Sequence, residues 1–268
     1  MLIINADDFG LSHDANMGIV QAFERGLCSS CSIMANMPGF EEACELARRH
    51  GWKDRVGLHL VLTEGLPVTR SIREFPEFCD SSGRFVLSRR KRVLRLSPVA
   101  ALAACEEIRG QIAACRRQGL RISHVDSHSH AHEEWAIAPL VIRAAIRAGI
   151  PRMRLCRTFS TRPLSAKRLY RRMVNRRIRA AGLAGTDHFG GPDDCVAFCR
   201  RYGEAKGSRV SWEVMVHPTD SDGRLVDSWL GRPLEDVVQT VVGYGGRLVA
   251  AESKGEMQKR CVTPSPLS

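Results

Sequence analysis

The sequence predicts an α/β fold whose parallel strands close, or nearly close, into a barrel. Two observations predict it. Short apolar runs with strand character alternate with helical patterns along most of the chain, and seven such runs can be counted; this is the rhythm of a parallel sheet with crossover helices. Acids and histidines then fall where those runs end: Asn5-Ala6-Asp7-Asp8-Phe9-Gly10, Gly57-Leu58-His59-Leu60, Asp126-Ser127-His128-Ser129-His130-Ala131-His132 and Glu213-Val214-Met215-Val216-His217-Pro218. Carboxylates and imidazoles delivered by several strand ends are what a metal-dependent hydrolase site at a barrel mouth requires. An open doubly wound sheet is the alternative topology.

The first strand is expected over 2–5, an apolar run that Phe9-Gly10 turns into a helix over 13–25 capped by Ser12. Strand 30–35 leads to helix 39–50, and 56–62 is an apolar strand broken by one polar side chain, His59. Helix 98–118 precedes strand 122–126, helix 134–148 follows it, and Gly149-Ile150-Pro151 introduces a short strand over 152–156. Helices 166–181 and 193–202, strand 211–216 closed by Pro218, helix 233–243 and a last strand over 246–250 complete the pattern. Glycines follow several of these helices in the manner of C-caps. Residues 1–255 read as one domain and 256–268 as a tail. Segments 63–97 and 157–191, each following a strand end, are long for ordinary connections; the first is a candidate lid or substrate wall.

The chain of 268 residues, 44% hydrophobic, is ample for one sizeable core. No run approaches the roughly 18 to 20 apolar residues that span a bilayer. The N-terminus lacks a basic leader and cleavage site, so a cytoplasmic protein is expected. Ten cysteines include Cys28-Ser29-Ser30-Cys31, but no second such pair completes a zinc scaffold; most are expected to be small core hydrophobes. The formal charge of +11 is concentrated in Arg89-Arg90-Lys91-Arg92 with Arg95 and in the stretch from Arg157 to Arg179. In the latter Leu169, Tyr170, Met173, Val174 and Ile178 recur at helical spacing, describing a basic amphipathic helix. A solvated helix packed on the barrel is the plain interpretation, with contact to a membrane surface or an anionic substrate as the sharper one. Nucleic acid is not expected, because aromatics are only 6% of the chain and do not interleave with the basic clusters. Several apolar helix faces could form a homodimer.

Asp7 and Asp8 close the first strand, and two adjacent carboxylates there need compensating charge from a metal or a proton. A lone histidine such as His59 is ordinarily a hydrogen-bonded core residue, and gains meaning only with partners. His128, His130 and His132 follow Asp126 at alternate positions, so that an extended strand exit would put them on one side, as metal ligands or as imidazoles supporting those ligands. Glu213 and His217 share a strand face, with His217 at the C-terminal end where barrel chemistry occurs. Arg154 could orient a carboxylate, stabilise an oxyanion or make an ordinary ion pair. Neither a phosphate-cradling glycine loop nor a Gly-x-Ser-x-Gly elbow is found.

As a set, Asn5-Ala6-Asp7-Asp8-Phe9-Gly10, Gly57-Leu58-His59, Asp126-Ser127-His128 with His130 and His132, and Glu213 to Pro218 resemble the YdjC-like family, which includes chitooligosaccharide deacetylases; the motifs span residues 2–218. The resemblance implies a distorted TIM-like (β/α) barrel and a metal-dependent hydrolase of a linear amide C–N bond. It implies removal of an N-acetyl group from an amino sugar or oligosaccharide, with metal-bound water attacking the acetamide carbonyl. It also implies Asp8, His59 and His128 as metal ligands and Asp7 as base, with His217 protonating the departing amine or stabilising the tetrahedral intermediate, and His130, His132, Glu213 and Asp126 in substrate or supporting positions. Magnesium follows from the resemblance, whereas two imidazoles favour zinc or another transition metal. Another amide or ester, such as a lipid-linked glycan, or a non-catalytic sugar or metal binder, are the alternatives.

Overall fold

Two β-residue patterns organise the chain, one parallel and one antiparallel. The computed structural model describes residues 1–87, 93–159, 165–203 and 210–245. The elements that carry the architecture are β1 (Leu2–Phe9), α1 (His13–Glu24), β2 (Ser30–Ile33), α2 (Phe40–Arg49), β3 (Val56–Leu60), α3 (Pro98–Arg117), β4 (Val125–Ser127), α4 (Ala138–Arg147), α5 (Ala166–Ala180), β5 (His188–Gly190), α6 (Pro192–Tyr202) and β6 (Trp212–Val216). The six strands form one sheet in the order β4-β3-β2-β1-β6-β5, all pairs parallel. A single bridge from Val125 to Met153 sets the short segment around residue 153 beside β4, and one from Arg152 to Ala184 ties that segment to the chain ahead of β5. The sheet is thus curled into a distorted barrel, with helices outside.

A second sheet of three antiparallel strands, β7 (Pro218–Ser221), β8 (Arg224–Asp227) and β9 (Arg232–Pro233), follows β6 directly and leads into α7 (Leu234–Gly245). Its first hairpin pairs Ser221 with Arg224 across Asp222-Gly223, both left-handed (φ 52° and 77°), the two-residue loop whose twist matches the strands. It packs on α1, where the backbone of Thr219 comes so close to Gly18 that a Cβ there would meet it at 2.4 Å.

Strands β1, β2, β3 and β6 are buried throughout, as expected of a sheet covered on its outer face. Helices α1, α3 and α5 begin at Ser12, Ser97 and Ser165, whose side chains accept from the amides of Ala15, Ala100 and Arg168. Two buried polar residues of α3 fix the chain leaving β3. Gln111 bonds both backbone groups of Val61, and Glu107 accepts from the amides of Val68 and Thr69 and from the Thr69 hydroxyl. The loop in between, which carries Glu64, is therefore tied at both ends to a helix. Among the described residues no helix is long and apolar enough to cross a membrane. The expected strand 246–250, the basic cluster 89–92 and the tail 256–268 lie outside the described residues.

Candidate active site

Adjacent residues of a regular strand face opposite ways, so Asp7 and Asp8 should not both reach one site. A bulge resolves this. Ala6 pairs with Cys31 and Phe9 with Ile33, three steps on β1 against two on β2, and Asp8 takes the left-handed φ of 69°. One extra residue re-aims the side chain, which is how bulges commonly serve sites at barrel rims.

Asp8 Oδ1 is the meeting point of two imidazoles: His59 Nε2 at 3.1 Å and His128 Nδ1 at 2.9 Å. Each ring is held from its far side by another carboxylate. His59 Nδ1 lies 2.9 Å from Asp126 Oδ1, and His128 Nε2 lies 2.6 Å from Glu64 Oε1. Ser32 Oγ donates to Asp126 Oδ2 at 2.9 Å and lies 3.1 Å from His59 Nδ1. Gly57, two residues before His59, is required by packing, since a Cβ there would fall 2.4 Å from the ring of His124.

Beneath this lies a buried ionic cluster. Arg154, 1% exposed, donates from Nη1 to Asp7 Oδ2 and from Nη2 to Asp7 Oδ1, both at 2.7 Å, from Nη2 also to Asp126 Oδ2 at 2.8 Å, and from Nε to Glu213 Oε1 at 2.5 Å. Asp7 Oδ1 also accepts from Asn5 Nδ2 at 2.8 Å. Of the roles open to Arg154, the geometry fits that of a group orienting carboxylates. Its guanidinium lies between Asp7, Asp126 and Glu213, with the Phe189 ring 4.8 Å away.

The electrostatics follow from these contacts. Burial opposes charging of His59, but the charge and hydrogen bonds of Asp126 and Asp8 outweigh it and raise the imidazole to about 10. Burial likewise opposes charging of His128, and its bonds to Asp8 and Glu64 raise it to about 9. Asp8 is buried, yet the bonds from His128 and His59 hold it well below the usual carboxylate range. Asp126, also buried, is held low by Arg154 and His59. Burial raises Glu213 against the opposing pull of Arg154. The cluster thus draws two protons onto its imidazoles, and a divalent cation would supply the same two charges at the same atoms.

Among the described residues, two groups of side chains bring their ligand atoms within 4.8 Å of one another: Asp8, His59 and His128, and Asp7, His59 and Asp126. The first fits a divalent metal. Its donors converge, and each imidazole is steadied by a carboxylate on its other nitrogen, the arrangement that supports metal-ligating histidines. The second does not fit, because Arg154 already sits between Asp7 and Asp126 and would repel a cation.

The histidine tract departs from the extended form expected of it. Residues His128–Glu133 form a 3₁₀ turn in which Ser129 and His130 are left-handed (φ 50° and 55°), so the three rings do not share a face. His128 reaches Asp8. His130 lies 3.4 Å from Arg157, which in turn bonds Asp194 at 2.8 Å. His132 is buried, its Nδ1 2.5 Å from Ser127 Oγ, and burial lowers it to about 3. His132 therefore remains neutral beside the charged cluster. His217 leaves β6 immediately after Val216, the residue paired with Ala6, so it emerges beside Asp7. Its ring stacks on Trp229 with centroids 4.4 Å apart and planes within 3°. The sequence reading missed Glu64, although it stands five residues beyond His59 just before a turn at Gly65 (φ 75°).

The basic helix expected around residue 170 is α5. Lys167, Arg168, Arg171 and Arg172 line a groove with Arg157, His188 and the acids Asp187 and Asp194. Arg157 also lines the smaller cleft that holds His217 and Trp229.

Comparison with known proteins places these observations. Residues 1–239 match the family model described as YdjC-like protein. A carbohydrate deacetylase of Halalkalibacterium halodurans is 30% identical over 221 residues, 82% of this chain and 86% of that one. One from Geobacillus stearothermophilus is 32% identical over 226 residues, 82% and 80% of the two chains. A third, from Brevibacillus brevis, is 41% identical over 150 residues, and that match spans 57% of the relative and 56% of this chain. Among solved structures, one from Enterococcus faecalis described as a candidate cellobiose-phosphate cleavage protein superposes with a TM-score of 0.68 at 21% identity, covering 92% of this chain and 96% of that one; at that identity the likeness concerns the fold.

Proposed function

This chain belongs to the YdjC-like protein family, and from that premise we propose that it is a metal-dependent carbohydrate deacetylase, hydrolysing the acetamide of an N-acetylated amino sugar to acetate and a free amine. The observation that carries the proposal is the convergence of His59 and His128 on Asp8, each ring backed by a second carboxylate, directly above the Asp7–Arg154 pair. Curated relatives named carbohydrate deacetylase support the substrate class.

Asp8, His59 and His128 would hold the ion. Bound there, a divalent cation would polarise the acetamide oxygen and lower the pKa of water. The ligand set, two imidazoles and one carboxylate, suits zinc or another transition metal better than magnesium. Asp7 is the base. Arg154 occupies both of its oxygens, but each carboxylate oxygen has two acceptor sites; Oδ2 takes Nη1 of Arg154 and, among the described residues, keeps a site for the proton of the attacking water. Arg154 acts through Asp7 as a positioning residue. His217, emerging beside Asp7, donates a proton to the departing nitrogen, without which an amine leaves poorly. Asp7 takes one proton of the water as its oxygen adds to the carbonyl carbon, and the C–N bond breaks as His217 gives its proton to the amine; the second water proton leaves with the acetic acid and dissociates to solvent, Asp7 then sheds its proton and His217 regains one, which restores both groups.

Acetate release from a panel of N-acetylated mono- and oligosaccharides tests the reaction. At least one member is expected to yield acetate and free amine in equal amounts; no release from any member would remove the deacetylase reading. The groove along α5 supports a substrate that also carries an anionic group. Phosphorylated members of the panel should then show lower KM than neutral ones, an advantage that fades with salt; equal KM values would leave that groove no part in substrate binding.

Metal loading carries its own expected result. With His59 raised to about 10 and His128 to about 9, both rings are protonated in the metal-free protein at pH 7. Binding of Zn²⁺ should therefore release about two protons, and affinity should rise up to about 100-fold per pH unit between pH 6 and 8. The slope of calorimetric enthalpy against buffer ionisation enthalpy reads the proton count. A slope near zero would mean that the ion binds elsewhere.

A further inference from the structure

Trp229 is a large aromatic side chain, 55% exposed, yet it is held as firmly as a core residue. The buried carboxylate of Asp227 holds it: Oδ1 accepts from the amides of Trp229 at 3.1 Å and Leu230 at 2.9 Å, and Oδ2 from the amide of His217 at 2.9 Å. Ser228 N adds a bond to His217 O at 2.9 Å. One acid thus clips the turn after β8 to the exit of β6 and fixes the indole parallel to the His217 ring. Because the imidazole covers one indole face, the exposed area belongs to the opposite face and the edge. Single exposed apolar residues are common on any surface, but a buried carboxylate spent on fixing one beside the proposed acid is not explained by chance exposure.

The cleft between these rings and the start of α6 has a volume of about 170 Å³, with Arg157, Asp193, Met215 and Leu230 among its lining residues. That is below the roughly 300 to 1,000 Å³ of pockets for drug-sized ligands, and suits a single sugar unit. Trp229 itself lines this cleft together with His217. Aromatic faces carry negative charge density and attract the partial positive charge of C–H groups on a flat apolar surface, which is the surface a pyranose ring presents.

Resting on the deacetylase reading, we propose that Trp229 is a specificity-determining platform for a second sugar unit, packed on the indole face away from His217 while the N-acetylated unit occupies the cleft. The residue then sets chain-length preference without touching the scissile bond. The test compares wild type, Trp229→Ala and Trp229→Phe on N-acetylglucosamine and on its β-linked disaccharide. Trp229→Ala is expected to raise KM for the disaccharide about 5- to 10-fold, to leave the monosaccharide KM unchanged, and to hold kcat within about twofold; Trp229→Phe should recover most of the loss. A fall in kcat on both sugars at unchanged KM would make the indole only a brace for His217 and overturn the proposal, as would unchanged constants throughout. A second readout needs no turnover: the disaccharide, added to chelated protein, should perturb indole fluorescence in wild type and not in Trp229→Phe. If wild type released no acetate from either sugar, the deacetylase reading would fail while the fluorescence change would still report on the platform.

Discussion

Asp7→Asn is expected to lower kcat by about 10²- to 10⁴-fold, the usual contribution of a positioned general base, while the protein keeps its metal. The two halves of this result come from different oxygens. Asp8, not Asp7, supplies the carboxylate on which His59 Nε2 and His128 Nδ1 converge, so the proposed ligand set is expected to survive the substitution. Asn removes the proton acceptor but preserves shape. It also turns an amide N–H₂ towards Arg154, which loses one of its two Asp7 bonds, so a stability loss of about 1–3 kcal/mol accompanies the kinetic one. Metal titration of the variant separates the possibilities. A dissociation constant within a few-fold of wild type, with turnover lost, supports the base. Loss of the metal would instead favour the alternative set of Asp7, His59 and Asp126.

Arg154→Leu should have the largest effect on stability. Three carboxylates, Asp7, Asp126 and Glu213, surround a guanidinium that is 1% exposed. Removing the cation leaves them buried without it, a change that costs about 3–5 kcal/mol in comparable pairs. For a chain of this size the midpoint of thermal unfolding should fall by roughly 10 °C. Lysine should not restore it, because a single ammonium cannot make the forked contacts to Asp7 while also reaching Asp126 and Glu213. The pH dependence gives a second check. Arg154 and His59 together hold Asp126 below its ordinary value of 3.8, so this acid contributes stability that is present above pH 4 and lost as pH falls further. The variant should lose part of that acid-side slope. Unfolding measured with chelator present, so that metal does not mask the effect, should show it; a loss under about 1 kcal/mol would mean that the cluster is solvated and weakly coupled.

The parts of the fold legible in the sequence were those with strong periodicity or clear punctuation. Helices α1, α2, α3, α5 and α6 fall within a residue or two of their expected ranges, because serine caps open α1, α3 and α5 and glycines follow the helices closely. Strand β5 escaped notice: its three residues, His188-Phe189-Gly190, are too few to show alternation, and register with β6 defines them instead. The β7–β8 hairpin could have been found, since Asp222-Gly223 is a recognised loop signal. At the site, the strand-end acids and histidines were legible because barrel chemistry concentrates there. What the sequence hid was backbone shape. Alternation could not reveal the β1 bulge that turns Asp8 towards His59, nor the left-handed Ser129 and His130 that scatter the histidine tract. Glu64 and Trp229 escaped for a related reason, being loop residues whose roles depend on ties to α3 and to Asp227.

The central claim is that hydrolysis of an acetamide depends on a cation held by Asp8, His59 and His128. The most direct measurement is acetate release by chelated protein, on an N-acetylated sugar that the untreated protein hydrolyses, as Mg²⁺, Mn²⁺, Co²⁺ or Zn²⁺ is added back to wild type and to His59→Ala. Chelation should abolish release, at least one ion should restore it in wild type at a stoichiometry near one, and His59→Ala should remain inactive at the same concentration. Undiminished release after chelation, or equal restoration in His59→Ala, would contradict the account.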